Sequence, residues 1–463
     1  MFKLTKFALC LFVGAASLTS CSDDDGPSYS ERPVENSELK TILTQKGYRF
    51  NDNGNLLLDE KATSTTSLDL SGTEISTETL SGLGILPNLK EVDLSDNGYG
   101  PAFDFAVLPT QITGIDLTGN EIYDYNNLVN VVVEENGDET VTNLRTITKL
   151  YLPEVAKNNC TDLMRFYRQN KEAVTNGSID MQMEGATGTL AKYTTLRDIP
   201  DDALRTYLKE SFSDLFDGDK VDISKHFGLE QKSLPIYAAY MDIKDFDGIQ
   251  YVLQNPSWEG PMAIIFPNES ASMPYFEWPS CLMSATIYNV DFSNGMNMNH
   301  ATQLRMIWLS NVDGIEEVDF SHSTIFGQRE PDTEFDEGLG SGIILNNCKD
   351  IKSVRLPEHN NLCASAISIE GLPNLEQFDL TKFAGINQLL IGDVSVSYNL
   401  EMPTLTIYTP SRDKTTFAIS EKTYNQYKDK IVSFIDKYYT NANPKRLWES
   451  DSMYGGGNGY RWW

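Results

Sequence analysis

The sequence predicts a β-rich α/β solenoid, in which short strands stack one above the next and loops or helices close each turn. Three observations lead there. Leu89–Asn97 (LKEVDLSDN) and Ile112–Ile122 (ITGIDLTGNEI) share one wording, apolar residues spaced L-x-x-V/I-x-L and an asparagine three places on. The triplets beginning at Leu68, Val92, Ile115 and Leu150 recur at steps of 24, 23 and 35 residues. Helix, Asp/Asn-Gly turn and strand follow in the same order at Ser37–Ser71 and again from Pro200 to Ser224. Within one unit Leu89, Val92 and Leu94 point inward, and the Asn97 amide can bond backbone groups left open where the strand bends away. A single unit cannot bury its own apolar face, so the copies must stack.

That wording resembles the leucine-rich repeat. The expected fold is therefore a leucine-rich-repeat solenoid in two helix-capped arrays, the second with strands on both faces.

Taken in order, residues 1–20 read as a signal peptide: Lys3 and Lys6 precede an apolar run, Phe7 to Leu18, too short to span a bilayer as a stable helix. The run ends in Leu18-Thr19-Ser20-Cys21, which is similar to the lipobox of bacterial lipoproteins and implies that Cys21 is acylated and becomes the first mature residue. Ser22-Asp23-Asp24-Asp25-Gly26 resembles the acidic export signal with which Bacteroidota send lipoproteins to the outer face of the outer membrane; the other reading is a solvated spacer. An aspartate run repels anionic head groups, so lipid chains must hold the protein on the membrane.

Residues 21–36 form a tether broken by Pro27 and Pro33. The first array, 37–153, opens with a helix capped by Ser37 and carrying Leu39, Ile42 and Leu43 on one face. Asn51–Asn55 is a turn; its glycine is misplaced for a calcium loop and no acid stands at the twelfth position. Asp69, Asp93 and Asp116 would stack at about 4.8 Å. Such a ladder is costly unless solvated or bridged by a cation. An acidic excursion, Glu134–Glu139, accounts for the longest step. Residues 154–196 read as a connector.

The second array, 197–410, starts with a helix over Ala203–Phe216 capped by Pro200-Asp201-Asp202. Apolar-x-apolar triplets beyond it start at 290, 307, 318, 343, 354, 367, 378, 389 and 405. Their steps sort them into one set at 307, 343, 367 and 389 and another at 290, 318, 354, 378 and 405. Residues 411–463 hold a helix over Glu421–Tyr439, which covers the last edge, and an aromatic tail ending in Trp462-Trp463. The tail aromatics either fold back onto the array or serve as a docking tag.

The formal charge of −29 argues against nucleic acid, whose phosphates need lysine and arginine. The four histidines lack metal-ligand spacing, no C-x-x-C occurs, and neither a metal nor a cofactor is implied. Cys348 and Cys363 are the nearest pair that could form a bridge, the alternative being small hydrophobes in the core. No G-x-S-x-G, H-E-x-x-H or phosphate loop is present, so no catalytic residue is assigned.

Binding is the stronger reading. Trp258 and Trp278 lie in a proline-rich stretch, where aromatics on rigid loops can stack on sugar rings or else form an irregular core. Trp308, Ile344, Ser368 and Leu390 make an unusually apolar outward column, and Arg355 is the one basic rung in a column with Asp291, Asp319 and Asp379. The leading expectation is a non-catalytic surface lipoprotein, anchored by lipid to the outer membrane, that binds a protein ligand in adhesion or host or bacterial interaction. Glycan capture beside a polysaccharide-uptake system is the alternative, and an outer-membrane assembly partner is the third reading.

Overall fold

The computed structural model describes residues 28–133, 139–226, 233–235, 241–255, 258, 262–328, 341–358, 362–378, 382–391, 416–420, 429, 450–451 and 459–462. The signal segment, Cys21, the triplet at 405 and nearly all of the expected helix Glu421–Tyr439 lie outside them.

The structure corrects the expected leucine-rich-repeat solenoid. Among the described residues the chain is strand-rich with seven α-helices, and its strands fall into several separate sheets, none of which closes on itself or runs through as one coil. The first large sheet has six strands, in the order Leu190–Lys192, Asp180–Glu184, Lys149–Leu152, Gly114–Asp116, Glu91–Asp93 and Ser67–Asp69. Its ladders are parallel and in register, with Leu68, Val92, Ile115, Leu150 and Met181 aligned. Leu190–Lys192 then pairs antiparallel and ends the stack, because the turn at Gly185–Gly188 folds the chain straight back on itself. Two strands of this sheet thus come from residues expected to be connector.

A separate three-stranded antiparallel sheet follows, Leu196–Arg197, Lys220–Asp222 and Phe216–Asp217. A ten-stranded sheet then begins at Ser233–Pro235. It is parallel through Met262–Ser272, Leu282–Asp291, Met306–Ser310, Gly342–Asn346, Leu362–Glu370, Phe383–Ile391 and Thr416–Ser420. Two antiparallel strands, Gly459–Trp462 and Ser450–Asp451, end it. The strands Glu317–Asp319, Ser353–Arg355 and Gln377–Phe378 form a sheet of their own. The triplet at Val290, expected in that second set, instead ends the long strand Leu282–Asp291 of the large sheet. Apolar triplets decide which residues become strands; how far each ladder runs depends on loop lengths, and these are too irregular for a uniform repeat.

The first helix spans Ser37–Gln45, and its cap is Asn36 rather than Ser37: the Asn36 side chain accepts from the Leu39 N–H at 2.9 Å. Leu39, Ile42 and Leu43 are buried below it. The helix expected from Ala203 to Phe216 spans Asp202–Ser211, capped by Asp201. Buried apolar side chains gather into two cores, one running from Leu39 to Tyr193 and the other from Cys160 to Leu375, with Tyr167 packed against both.

Candidate functional site

An open cleft of about 850 Å³ lies where the two cores meet. One wall comes from Gly98–Ala102, Glu121, Tyr123 and Asp124, the other from Tyr275, Asn294–Asn299, Gly314–Glu317 and Asp319. Two short parallel sheets shape it: Ala102–Asp104 with Asp124–Asn126, and Phe276–Glu277 with Met296–Asn297. Strand alternation fixes what they present. Phe103 and Tyr125 are fully buried, which turns Asp124 the other way; Phe276 is fully buried, which turns Glu277 away from the core. Glu277 pairs in register with Asn297, and the Asn297 Nδ2 donates to Asp124 Oδ2 at 2.9 Å, joining the second core to the first.

Beside this contact the Tyr123 and Tyr275 rings stack, with centroids 3.8 Å apart and planes 18° from parallel. Gly295 lets the Tyr275 ring come close, since a Cβ there would lie 3.4 Å from its Cδ2. Tyr275 is 6% exposed, and its buried hydroxyl faces Asn297 and Asp124.

Carboxyl groups gather in the cleft lining and behind it, where Glu277 and Asp162 lie. Burial raises Asp124 above the usual carboxylate range, and the Asn297 amide offsets part of that rise. Burial, then the charges of Asp124 and Asp162, pushes Glu277 up to about 8, against the pull of Arg165. His300 Nε2 stands 3.5 Å from Glu277 Oε1. Burial raises Asp162 too, and Arg165, 3.5 Å away, opposes it; Arg165 is also held by Glu139 at 2.6 Å. The cleft lining itself carries Glu121, Asp124, Glu316, Glu317 and Asp319 and no lysine, arginine or histidine. On the far wall Lys352 reaches Glu316 at 2.7 Å, and Arg355 lies 3.2 Å from Asp319 and 3.6 Å from Glu317. Among the described residues no group of three or more His, Cys, Asp and Glu could hold a metal ion.

The residues singled out in the sequence are scattered. Trp258 is 9% exposed with its indole N–H donating to the Val252 carbonyl at 2.8 Å, and Trp278 is fully buried against Phe276. Both are core residues, so neither offers a free ring face to a sugar. Trp308 is half-buried and edge-on to Tyr288, while Ile344 and Ser368 of the same column are buried. Arg355 lies outside the cleft lining and pairs with two of its carboxylates, Glu317 and Asp319. Cys348 is a buried free thiol, its pKa pushed up to about 12 by burial, and forms no bridge with Cys363.

The aspartate ladder has a structural cause. Asp69, Asp93 and Asp116 stand in register, and each turns its Oδ1 onto the N–H and hydroxyl of the Ser or Thr two residues on. These bonds close the turn after each strand. The same bond pair recurs at Asp222 and Asp291.

Sequence reasoning missed Tyr123, Asp124, Glu277 and Asn297. The one local signal was an acid following an aromatic at a strand start, Tyr123-Asp124-Tyr125 and Tyr275-Phe276-Glu277. Nothing local joins two segments about 150 residues apart. No protein-family model matches the chain, and no curated protein matches it.

Proposed function

We propose that this protein is a lipoprotein of the outer membrane, anchored through Cys21 and displayed at the cell surface, that recognises a protein ligand without transforming it. The cleft between the two cores is its recognition surface. The single observation that carries this is the cleft's build: an open groove of about 850 Å³ lined by tyrosines and carboxylates on the turns that flank short paired strands. Tyr123, half-buried and held in place by its stack on Tyr275, supplies contact area at small entropic cost, and an acidic surface favours partners of opposite charge. Glycan capture loses the support it had in the sequence, because Trp258 and Trp278 are inside the core.

The test is to present the full mature protein to arrayed matrix proteins, bacterial surface proteins and glycans, with Tyr123→Ala beside it. Binding to a protein that falls at least tenfold in Tyr123→Ala supports the reading. Binding to one glycan class instead overturns it in favour of capture for uptake. Co-purification with an outer-membrane complex that is lost when Tyr454–Trp463 is deleted would favour assembly.

A further inference from the structure

We infer that the seam between the two cores is an acid-tightened joint, docked when the carboxyl groups of Asp124, Asp162 and Glu277 are neutral and loosened when they ionise. The helix Asp162–Gln169 lies in this seam, packing Leu163 and Phe166 into the first core and Met164 into the second. Asp162 at its start and Asp124 on the first core's short sheet both face Glu277 on the second core's, and the Glu277 side chain is 12% exposed. The Asn297 bond to Asp124 and the stack of Tyr123 on Tyr275 cross the seam at the same place. The cations that oppose the three carboxyls are weakly placed. Arg165, 3.5 Å from Asp162, is shared with Glu139 at 2.6 Å, and His300, 3.5 Å from Glu277, has a side chain 64% exposed. Burial holds the Tyr275 hydroxyl and the Cys160 thiol, which also face these carboxyls, in their neutral forms.

Burial raises all three carboxyls, Glu277 to about 8. Parting the seam returns water to them and restores the ordinary range, so the parted form releases protons that the docked form holds. For Glu277 the docking is fullest below about 4.5 and is lost as pH rises through about 8, and each pH unit between favours parting about tenfold. Elsewhere on the seam Gln250 donates to Asn158 at 2.7 Å; neutral amides do not titrate, so that side holds as the hinge. The cleft takes one wall from each core, so its walls part with the joint, and this does not depend on what the cleft binds.

Cys160 can report on the joint. It is buried at the seam, its backbone N–H donates to Gln254 of the second core at 3.2 Å, and Glu277 acts on its thiol. Cys348, buried beyond the strand Gly342–Asn346, reports on unfolding of the second core itself. The experiment is labelling of the full mature protein with a methanethiosulfonate reagent at pH 5.5 and 8.5, mapped by peptide mass, each rate divided by that of the urea-unfolded chain at the same pH. Expected is a rise of at least tenfold in the Cys160 ratio with Cys348 still protected. Glu277→Gln, neutral at both pH values, should remove most of that rise, and Asp124→Asn, which keeps an acceptor for Asn297, should reduce it. A Cys160 ratio that does not change with pH overturns the inference, as does a parallel rise at Cys348, which would mark general unfolding in base, or a full rise in Glu277→Gln. Should Glu277→Gln fail to fold, exposing both thiols at either pH, Asp124→Asn decides: a reduced rise upholds the joint and an undiminished one overturns it.

Discussion

Asn120 shows how much one side chain can hold. It is 4% exposed; its Nδ2 donates to the carbonyls of Leu94, Leu117 and Thr118, and its Oδ1 accepts from the N–H groups of Asn97 and Tyr99. Asn97 repeats the device one turn earlier, bonding the Leu70 and Ser95 carbonyls. Each orphaned buried group costs about 1–3 kcal/mol. Asn120→Ala should therefore lose about 3 kcal/mol or more, read from denaturant melts, and Asn120→Asp should do no better because it turns a donor into a charge beside carbonyls. A loss below about 1 kcal/mol would show that water replaces these bonds. Glu277 gives the second prediction at this scale. Its carboxyl is raised from 4.5 to about 8 in the fold, so the folded chain holds a proton that the unfolded chain releases. The stability this confers is full below about 4.5 and is lost as pH rises through about 8. Thermal melts of Glu277→Gln against the parent should show the variant gaining in relative Tm between pH 5 and 8.5; parallel curves would remove Glu277 from the titration.

Among the elements, the turns do as much as the strands. Asp69, Asp93 and Asp116 stack as like charges, yet each is anchored by two hydrogen bonds at the end of its strand, so repulsion is set against turn closure. Gly314 is a turn of another kind. Its φ is +81°, its N–H donates to Asp350 at 2.8 Å, and an added Cβ would meet the Phe292 and Ser293 backbone at 2.6 Å. Backbone cannot give way as a flexible side chain can. Gly314→Ala should cost about 2 kcal/mol or more and, since Gly314 lines the cleft, weaken ligand binding as well. Melts and titration on the same preparation check both; an unchanged melt would mean that the turn relaxes.

Across the whole molecule, the two cores are joined by polar contacts as well as by Tyr167. Gln250, fully buried, donates to Asn158 Oδ1 at 2.7 Å and to Asp247 Oδ1 at 2.9 Å, and Lys157 reaches Asp247 at 3.0 Å. Buried amides of this kind fix one docking of the cores because any other leaves them unsatisfied. The cleft between the cores keeps its shape for the same reason. Anchoring is a property at this scale too. Among the described residues no helix is long and apolar enough to cross a membrane. On the proposed reading a lipid on Cys21 anchors the protein, so Cys21→Ala should move it from the membrane to the soluble fraction and abolish labelling by a fatty-acid analogue. Retention of the variant in the membrane would place the anchor elsewhere.

The strands were legible in the sequence because a strand is a local object: alternating apolar residues at Leu68, Val92, Ile115 and Leu150 face inward whatever lies beyond them. Asn97 was legible for the same reason, its backbone partners lying one turn away. The end of the first ladder at Leu190–Lys192 and the division into separate sheets were not, since hydrogen bonding between strands depends on loop geometry that no periodicity encodes. The tryptophans misled because composition does not tell a buried ring from an exposed one. The cleft was decided by tertiary structure alone. Asp124, Tyr275, Glu277 and Asn297 are ordinary residues in their own segments, and the two carboxyl groups acquire their shifts only when the docking of two cores removes water from around them.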